Sequence, residues 1–297
     1  MKRAPRRLTL LAASLLVSGL TFVAATPVAA YGTCPSGWSQ VTATQVAHLT
    51  MFCHQGAGLG HQDRYFLIAP KESVGQALTL PGGNPNNPYG NAGNPNPAYV
   101  KRSVSAWMPY LRGFWGSTVQ VVINGDFFEP GDPNATISYP IFQTAQLVTA
   151  ARLPNAQDSA HRKCIAWGST VNPATYTWSY ANNDWAGTQS YGFNNCNTSS
   201  PYHRIVGLEP TWFPGGDSAN ALTMMGSNGS SLCFLVGGWQ TRATASTYMS
   251  TFGCTARVQL DGGHSSQMSY WSGSQVDAVT GYIPEWNRPV PHVIVFF

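Results

Sequence analysis

The chain has 297 residues, enough for a large buried core, and 43% of them are apolar against only 9% charged. Aromatic residues at 12% exclude a disordered chain, which lacks the apolar surface to offset the entropy of ordering. The formal charge of +4 comes from Lys2, Arg3, Arg6 and Arg7; the rest carries acids and bases in equal number, so charge supports no nucleic-acid partner.

Those four basic residues precede an apolar run over 8–25, and Val28-Ala29-Ala30 offers small residues for cleavage. The pattern predicts a signal peptide over 1–30 and a mature chain over 31–297, secreted to the extracellular space. A retained membrane anchor is the rival reading. No other stretch is apolar enough to span a bilayer, so no stable membrane insertion is expected once the leader is removed. Cys34, Cys53, Cys164, Cys196, Cys233 and Cys254 follow, an even number that in an exported chain implies three disulfides. Pairing of neighbours along the chain is the simplest arrangement. No Cys-x-x-Cys pair stands among them, which argues against a structural zinc site.

Residues 64–69 (RYFLIA) read as a short strand, and 81–97, dense in Pro, Gly and Asn, as a surface loop. Residues 104–115 read as a short helix. TVQVVI at 118–123 reads as a buried strand that runs into Asn124-Gly125-Asp126-Phe127-Phe128. The middle, 158–202, has no clear period and reads as short strands and long loops. SLCFLV at 231–236 is a strand, 241–252 a helix with Thr241 as N-cap, and RVQL at 257–260 a strand. Strand, helix, strand is a βαβ unit, or an α+β equivalent if the strands are not neighbours. Residues 291–297 supply a closing strand. The fold expected is α+β: one disulfide-stapled domain with a mixed β-sheet, few helices and long loops.

Two segments share a design, an apolar strand delivering an acid onto a glycine turn, at Asp126 and at Asp261. Such turns are firmly held yet open to ligand. In Asp261-Gly262-Gly263-His264-Ser265-Ser266, the glycines allow close backbone approach and the following hydroxyls and imidazole can reach an anion. A tight turn with a capping serine is the equal alternative. Asn124-Gly125-Asp126 can likewise be an ordinary turn before core aromatics, or can hold a sugar hydroxyl or phosphate oxygen. Gly216-Asp217-Ser218 and Gly263-His264-Ser265 fit serine-hydrolase patterns poorly. Asp261 with His264 could take a divalent cation, but no recognisable ligand set accompanies them, so neither a metal nor another cofactor is expected. Most tryptophans are core, with some available to stack on sugars.

The combination of TVQVVINGDFF and VQLDGGHSSQM resembles the phosphodiester glycosidase family. In that family a strand followed by an Asn-Gly-Gly-Phe-Phe-like element precedes an Arg-x-x-Gly stretch, matched by Arg204-Ile205-Val206-Gly207. A Leu-Asp-Gly-Gly-Gly-Ser-Ser element and an Arg-Pro exit, matched by Arg288-Pro289, follow. Asp126 and His264 stand where the family usually has glycine. The resemblance covers 118–128 and about 204–297. It implies cleavage of a sugar–phosphodiester bond in an extracellular glycan or cell-wall polymer. Asp261, Asp126 and His264 are then the catalytic candidates, with Asp261 as nucleophile or base and His264 as proton donor. Asn124 and Asp126 would hold the sugar. Arg204, Gly262, Gly263, Ser265 and Ser266 would cradle the phosphate, and Gly125 is counted with them among the substrate- and phosphate-binding residues. The partner expected is a carbohydrate or glycosyl-phosphate polymer. A non-catalytic glycan-binding surface protein and a metal-dependent phosphodiesterase are the competing readings.

Overall fold

A computed structural model describes residues 36–41, 48–55, 63–88, 97–129, 133–139, 141–143, 146–149, 161–168, 171–177, 203–212, 216–280 and 288–297. The segment 1–30 expected to be a signal peptide, Cys34, Cys196 and the part of the middle segment over 178–202 lie outside these residues. Strands β1 (Ser39–Gln40), β2 (Thr50–His54), β3 (Arg64–Pro70), β4 (Val74–Leu78) and β5 (Tyr99–Val100) precede helix α1 (Val104–Trp115). Next come β6 (Val121–Asn124), β7 (Phe128–Glu129), β8 (Asn134–Ile137), β9 (Ile141–Gln143) and β10 (Gln146–Thr149). They are followed by β11 (Arg162–Gly168), β12 (Val171–Thr177), β13 (His203–Leu208), β14 (Asn220–Asn228) and β15 (Ser231–Gln240). Helix α2 (Arg242–Thr251), then β16 (Ala256–Gln259), β17 (Gln267–Trp271), β18 (Gln275–Thr280) and β19 (His292–Phe296), complete the order.

The larger sheet runs β1-β2-β3-β15-β14-β16-β13-β11-β12, with the β9–β10 pair attached to β13. A second sheet runs β18-β17-β6-β19-β4, and a small one β5-β8-β7. Every strand pairing among the described residues is antiparallel. The protein is therefore largely a β-sheet fold, which overturns the α+β expectation and its mixed sheet. The reason lies in β14. The strand–helix–strand segment is present, and β15 and β16 do run parallel. However, β14 lies between them and hydrogen-bonds to both, so no parallel neighbours form. Its sequence, NALTMMGSN, is apolar through Leu and Met and has none of the β-branched run that marks a strand.

Period-2 alternation sorts the side chains into layers. Ile294 and Phe296 of β19, with Val121 and Ile123 of β6, meet Phe234, Val236 and Leu67 of the larger sheet to form the central core. The opposite face of the second sheet, Val122, Val293 and Val295, receives α1 through Val104, Trp107, Met108 and Leu111. These four fall at i, i+3, i+4 and i+7, one face of a helix. Ser103 caps α1, its Oγ accepting the Ala106 N–H at 3.2 Å. The outer face of the larger sheet, Leu222, Met224 and Leu235, is covered by Ala245 and Met249 of α2. Thr241 caps α2 as the sequence predicts, and the Asp217 carboxylate accepts the N–H groups of Arg242 at 2.7 Å and Ala243 at 3.0 Å. Asp217 thus serves a helix terminus, which accounts for the Gly216-Asp217-Ser218 stretch without catalysis.

Cys233 in β15 is bonded to Cys254 just after α2, fixing the helix to the sheet it covers. Cys53 and Cys164 are also disulfide-bonded, with partners outside the described residues. No helix among the described residues is long and apolar enough to cross a membrane.

Candidate active site

The two acid-bearing turns meet where one end of β6 approaches the end of β16. Asn124, the last residue of β6, donates from Nδ2 to the Asp261 carbonyl at 2.8 Å across 137 positions. Its Oδ1 accepts from the Thr223 hydroxyl at 2.7 Å and from the Gln267 N–H at 3.1 Å. Thr223 also reaches the Ser266 Oγ at 3.1 Å, and the Asp261 N–H donates to the Gly125 carbonyl at 3.2 Å. Asn124 and Thr223 have no exposed surface, so this lattice joins the two sheets in a dry setting where each bond counts.

Gly125 is needed because a Cβ there would overlap the His292 ring. His292, in β19, is fully buried, and its Nδ1 accepts the Asp126 N–H at 2.9 Å. Burial lowers its pKa from 6.5 to about 3, so it stays neutral, and the accepted bond places its proton on Nε2. Asp126 is itself buried. Its Oδ1 accepts the Phe127 N–H at 2.7 Å, while Oδ2 has no hydrogen-bond partner. Burial is the main reason its carboxyl sits well above the usual range; the Phe127 bond opposes this and the nearby Asp261 charge adds to it.

Asp261 is partly exposed, although its Oδ2 is cut off from solvent and lacks a well-formed hydrogen bond. Burial raises its pKa from 3.8 to about 6, against the lowering effects of the facing Ser265 hydroxyl, the Arg288 guanidinium and the Gly262 N–H. The Gly262 bond, to Oδ1, is 2.9 Å. Gly263 opens a single 3-10 turn over Gly263–Ser265 with φ +62°, a conformation that favours glycine. Ser265 and Ser266 are buried behind that turn.

Beside the turn lies an open cleft of about 400 Å³, lined by Asn220, Trp239, Gly262, Gly263, His264 and Arg288, with Ala219 at its edge. Of the predicted site residues, Gly262, Gly263 and His264 line this cleft, and Asp261 adjoins it. Asn124, Gly125 and Asp126 lie beneath as its buried support. Arg204 is buried in β13, level with Ala166 of β11 and Phe142 of β9, and is not one of the cleft residues. The cation in the cleft is Arg288, which also lies 4.5 Å from the centre of the Phe128 ring. Among the described residues, no group of three or more His, Cys, Asp and Glu is placed to hold a metal ion.

Sequence reasoning missed Thr223, His292, Gln267 and Arg288 as parts of the site. Gln267 gathers three elements: Oε1 accepts the Val104 N–H at 3.0 Å, and Nε2 reaches the carbonyls of Arg288 at 2.6 Å and His264 at 3.3 Å. A usable signal existed for Arg288 and Gln267. Cations are scarce in this chain, and Gln267 directly follows the Asp261–Ser266 stretch.

No protein-family model and no curated protein sequence matches the chain. Solved structures do. Zebrafish N-acetylglucosamine-1-phosphodiester alpha-N-acetylglucosaminidase, a catalytic domain auto-inhibited by its pro-peptide, aligns at a TM-score of 0.52 and 11% identity, covering 88% of this chain and 87% of that one. A Synechocystis protein aligns at 0.46 and 9% identity, over 88% of this chain and 64% of that one. A Burkholderia pseudomallei protein described as exported aligns at 0.37 and 10% identity, over 80% and 74%. At such identity the zebrafish likeness establishes a distantly shared fold and nothing finer.

Proposed function

We propose that the protein is a secreted hydrolase of glycosyl phosphodiesters, cutting the sugar–oxygen bond at the anomeric carbon. The observation that carries this reading is Asp261: a carboxyl with a raised pKa of about 6, held on a glycine turn beside a cleft that also presents the Arg288 cation. A phosphodiester is a good leaving group, so the reaction needs little protonation of the departing oxygen. It needs a carboxylate for the positive charge that develops at the anomeric carbon, and donors for the departing phosphate. Asp261 supplies the first, as nucleophile or base. Arg288, together with the Gly263 amide, supplies the second, and His264 stands in the same cleft as a proton donor. Asn124, Thr223 and Gln267 position the Asp261 turn and Arg288. The buried disulfide and the leader at 1–30 support export to a compartment where extracellular glycans are met. The shared fold with a catalytic domain that acts on a sugar phosphodiester supports the substrate class.

The test is hydrolysis of an α-N-acetylglucosaminyl phosphodiester and related sugar phosphodiesters, with and without chelator. Free sugar released by the wild type, indifferent to chelator and lost in Asp261→Asn, is the expected result. Turnover abolished by chelator would replace this reading with a metal-dependent phosphodiesterase. Binding without turnover across the panel would replace it with a glycan-binding protein.

A further inference from the structure

Three large hydrophobic side chains among the described residues are exposed, Phe114, Phe297 and Trp239, and of these Trp239, 36% exposed, is the one that lines the cleft with Gly262 and Arg288. Two backbone features put it there. In the β14–β15 ladder, Leu222 pairs with Gly237 and Asn220 with Gln240, so Gly238 and Trp239 together oppose the single residue Ala221. This is a β-bulge, a device that re-aims a side chain. Trp239 also has φ +29°, the one positive value at a non-glycine residue among those described. A bulky side chain in that region is strained, and such strain persists where something other than stability retains it.

We propose that Trp239 is the platform on which a sugar ring of the ligand stacks, with Arg288 across the same cleft taking the anionic group. The ligand class is an anionic saccharide, a pyranose carrying a phosphate or phosphodiester. The proposal deepens the reading of the Asp261 site and rests on it for the location of the reacting bond. The indole offers a flat, electron-rich face to the C–H groups of a pyranose and requires no fixed hydroxyl pattern. Arg288 offers a planar fork suited to phosphate oxygens. The strained backbone is then the cost of presenting the ring to the ligand.

The experiment measures binding to the Asp261→Asn protein, so that the ligand is not consumed, by calorimetry. Its probes are an α-N-acetylglucosaminyl phosphodiester, the methyl α-glycosides of N-acetylglucosamine, glucose and galactose, and inorganic phosphate. Adding Trp239→Ala or Trp239→Gly should weaken the phosphodiester and the best-bound methyl glycoside by about tenfold, and leave phosphate within about twofold. Trp239→Phe should retain most of the affinity. Trp239→Gly relieves the positive φ, so it should melt no lower than its parent while binding sugar less well, which separates a lost platform from a damaged fold. Unchanged sugar binding in Trp239→Ala and Trp239→Gly, or no binding of any sugar probe by the parent, overturns the proposal. Full turnover by Asp261→Asn would remove the reaction assigned above, while the Trp239 result would stand or fall by itself.

Discussion

Asp126 and Asp261 start from the same design, an apolar strand ending in an acid on a glycine turn, and finish in different chemical states. Asp126 is enclosed between the Phe127 amide and the His292 ring, and burial pushes its carboxyl well above the usual range. Asp261 borders an open cleft, with the Gly262 N–H, Ser265 and Arg288 keeping its pKa to about 6, so at neutral pH it is mostly charged. Surroundings that differ in this way penalise charge far more at Asp126 than at Asp261, the pattern by which two neighbouring carboxyls take different roles. Under the proposed function the reacting carboxylate is Asp261, and Asp126 is part of its buried support.

The largest effect expected tests that division directly. Asp261→Asn keeps the shape and removes the charge, so turnover should fall on the order of 100-fold or more. Asp126→Asn keeps the shape and an oxygen that can still accept the Phe127 N–H. Turnover should stay within about tenfold, since Asp126 is buried beneath the cleft and does not line it. The comparison of kcat/KM for the two variants decides the matter. Equal losses would break the division and make the Asp126 proton a participant in the reaction.

A second contrast concerns the glycines before and after these acids. A Cβ on Gly125 meets the His292 ring, which is locked in the core, whereas a Cβ on Gly262 comes to 3.0 Å from the Ala221 carbonyl at the cleft wall. Gly125→Ala should therefore cost about 1–3 kcal/mol or more in denaturant unfolding, with Gly262→Ala the milder of the two. A larger cost at Gly262 would mean that the cleft wall is the less yielding side.

These contrasts also mark how far the sequence could be read. Helix α1 is legible at its observed ends because Val104, Trp107, Met108 and Leu111 repeat with the period of a helix, and β6 is legible because Val and Ile crowd it. The acid–glycine turns stand out because acids are rare in this chain. Thr223 is not legible: it lies in a Met-rich strand that has no β signature, and its role exists only because β14 faces the end of β6. His292 reads as one more residue of a closing strand; only its packing under Gly125 gives it a function. Arg204 stands out by its place in a sequence pattern; in the structure it is buried in β13, and the arginine that lines the cleft is Arg288. Pattern identifies which residue types are present, but which of two arginines reaches an open cleft is decided by the sheet.

The smallest effect expected is on the pH dependence of stability, where the two acids and His292 act in opposite directions. An acid whose folded pKa is raised holds its proton longer in the native state. Its contribution is therefore favourable at low pH and is lost as pH rises from the unfolded value toward the folded one. For Asp261 this loss falls between 3.8 and about 6, and for Asp126 it begins at 3.8 and runs well above it. His292 has its pKa lowered from 6.5 to about 3, so its burial costs stability as pH falls through that interval. Between about pH 4 and 6 His292 and the buried His203, whose pKa is lowered from 6.5 to about 4, oppose the two acids, and the wild type should show a shallow profile. Asp126→Asn removes one acid and leaves the histidine. Its melting temperature should match the wild type near pH 4 and exceed it at pH 7, because the raised carboxyl of the wild type costs stability once the unfolded chain has ionised. Asp261→Asn should show the same sign, with the growth complete by about pH 6 because that carboxyl has ionised by then. A constant offset across the range would mean that Asp126 keeps its ordinary titration despite its burial, and the separation of the two carboxyls would lose its physical basis.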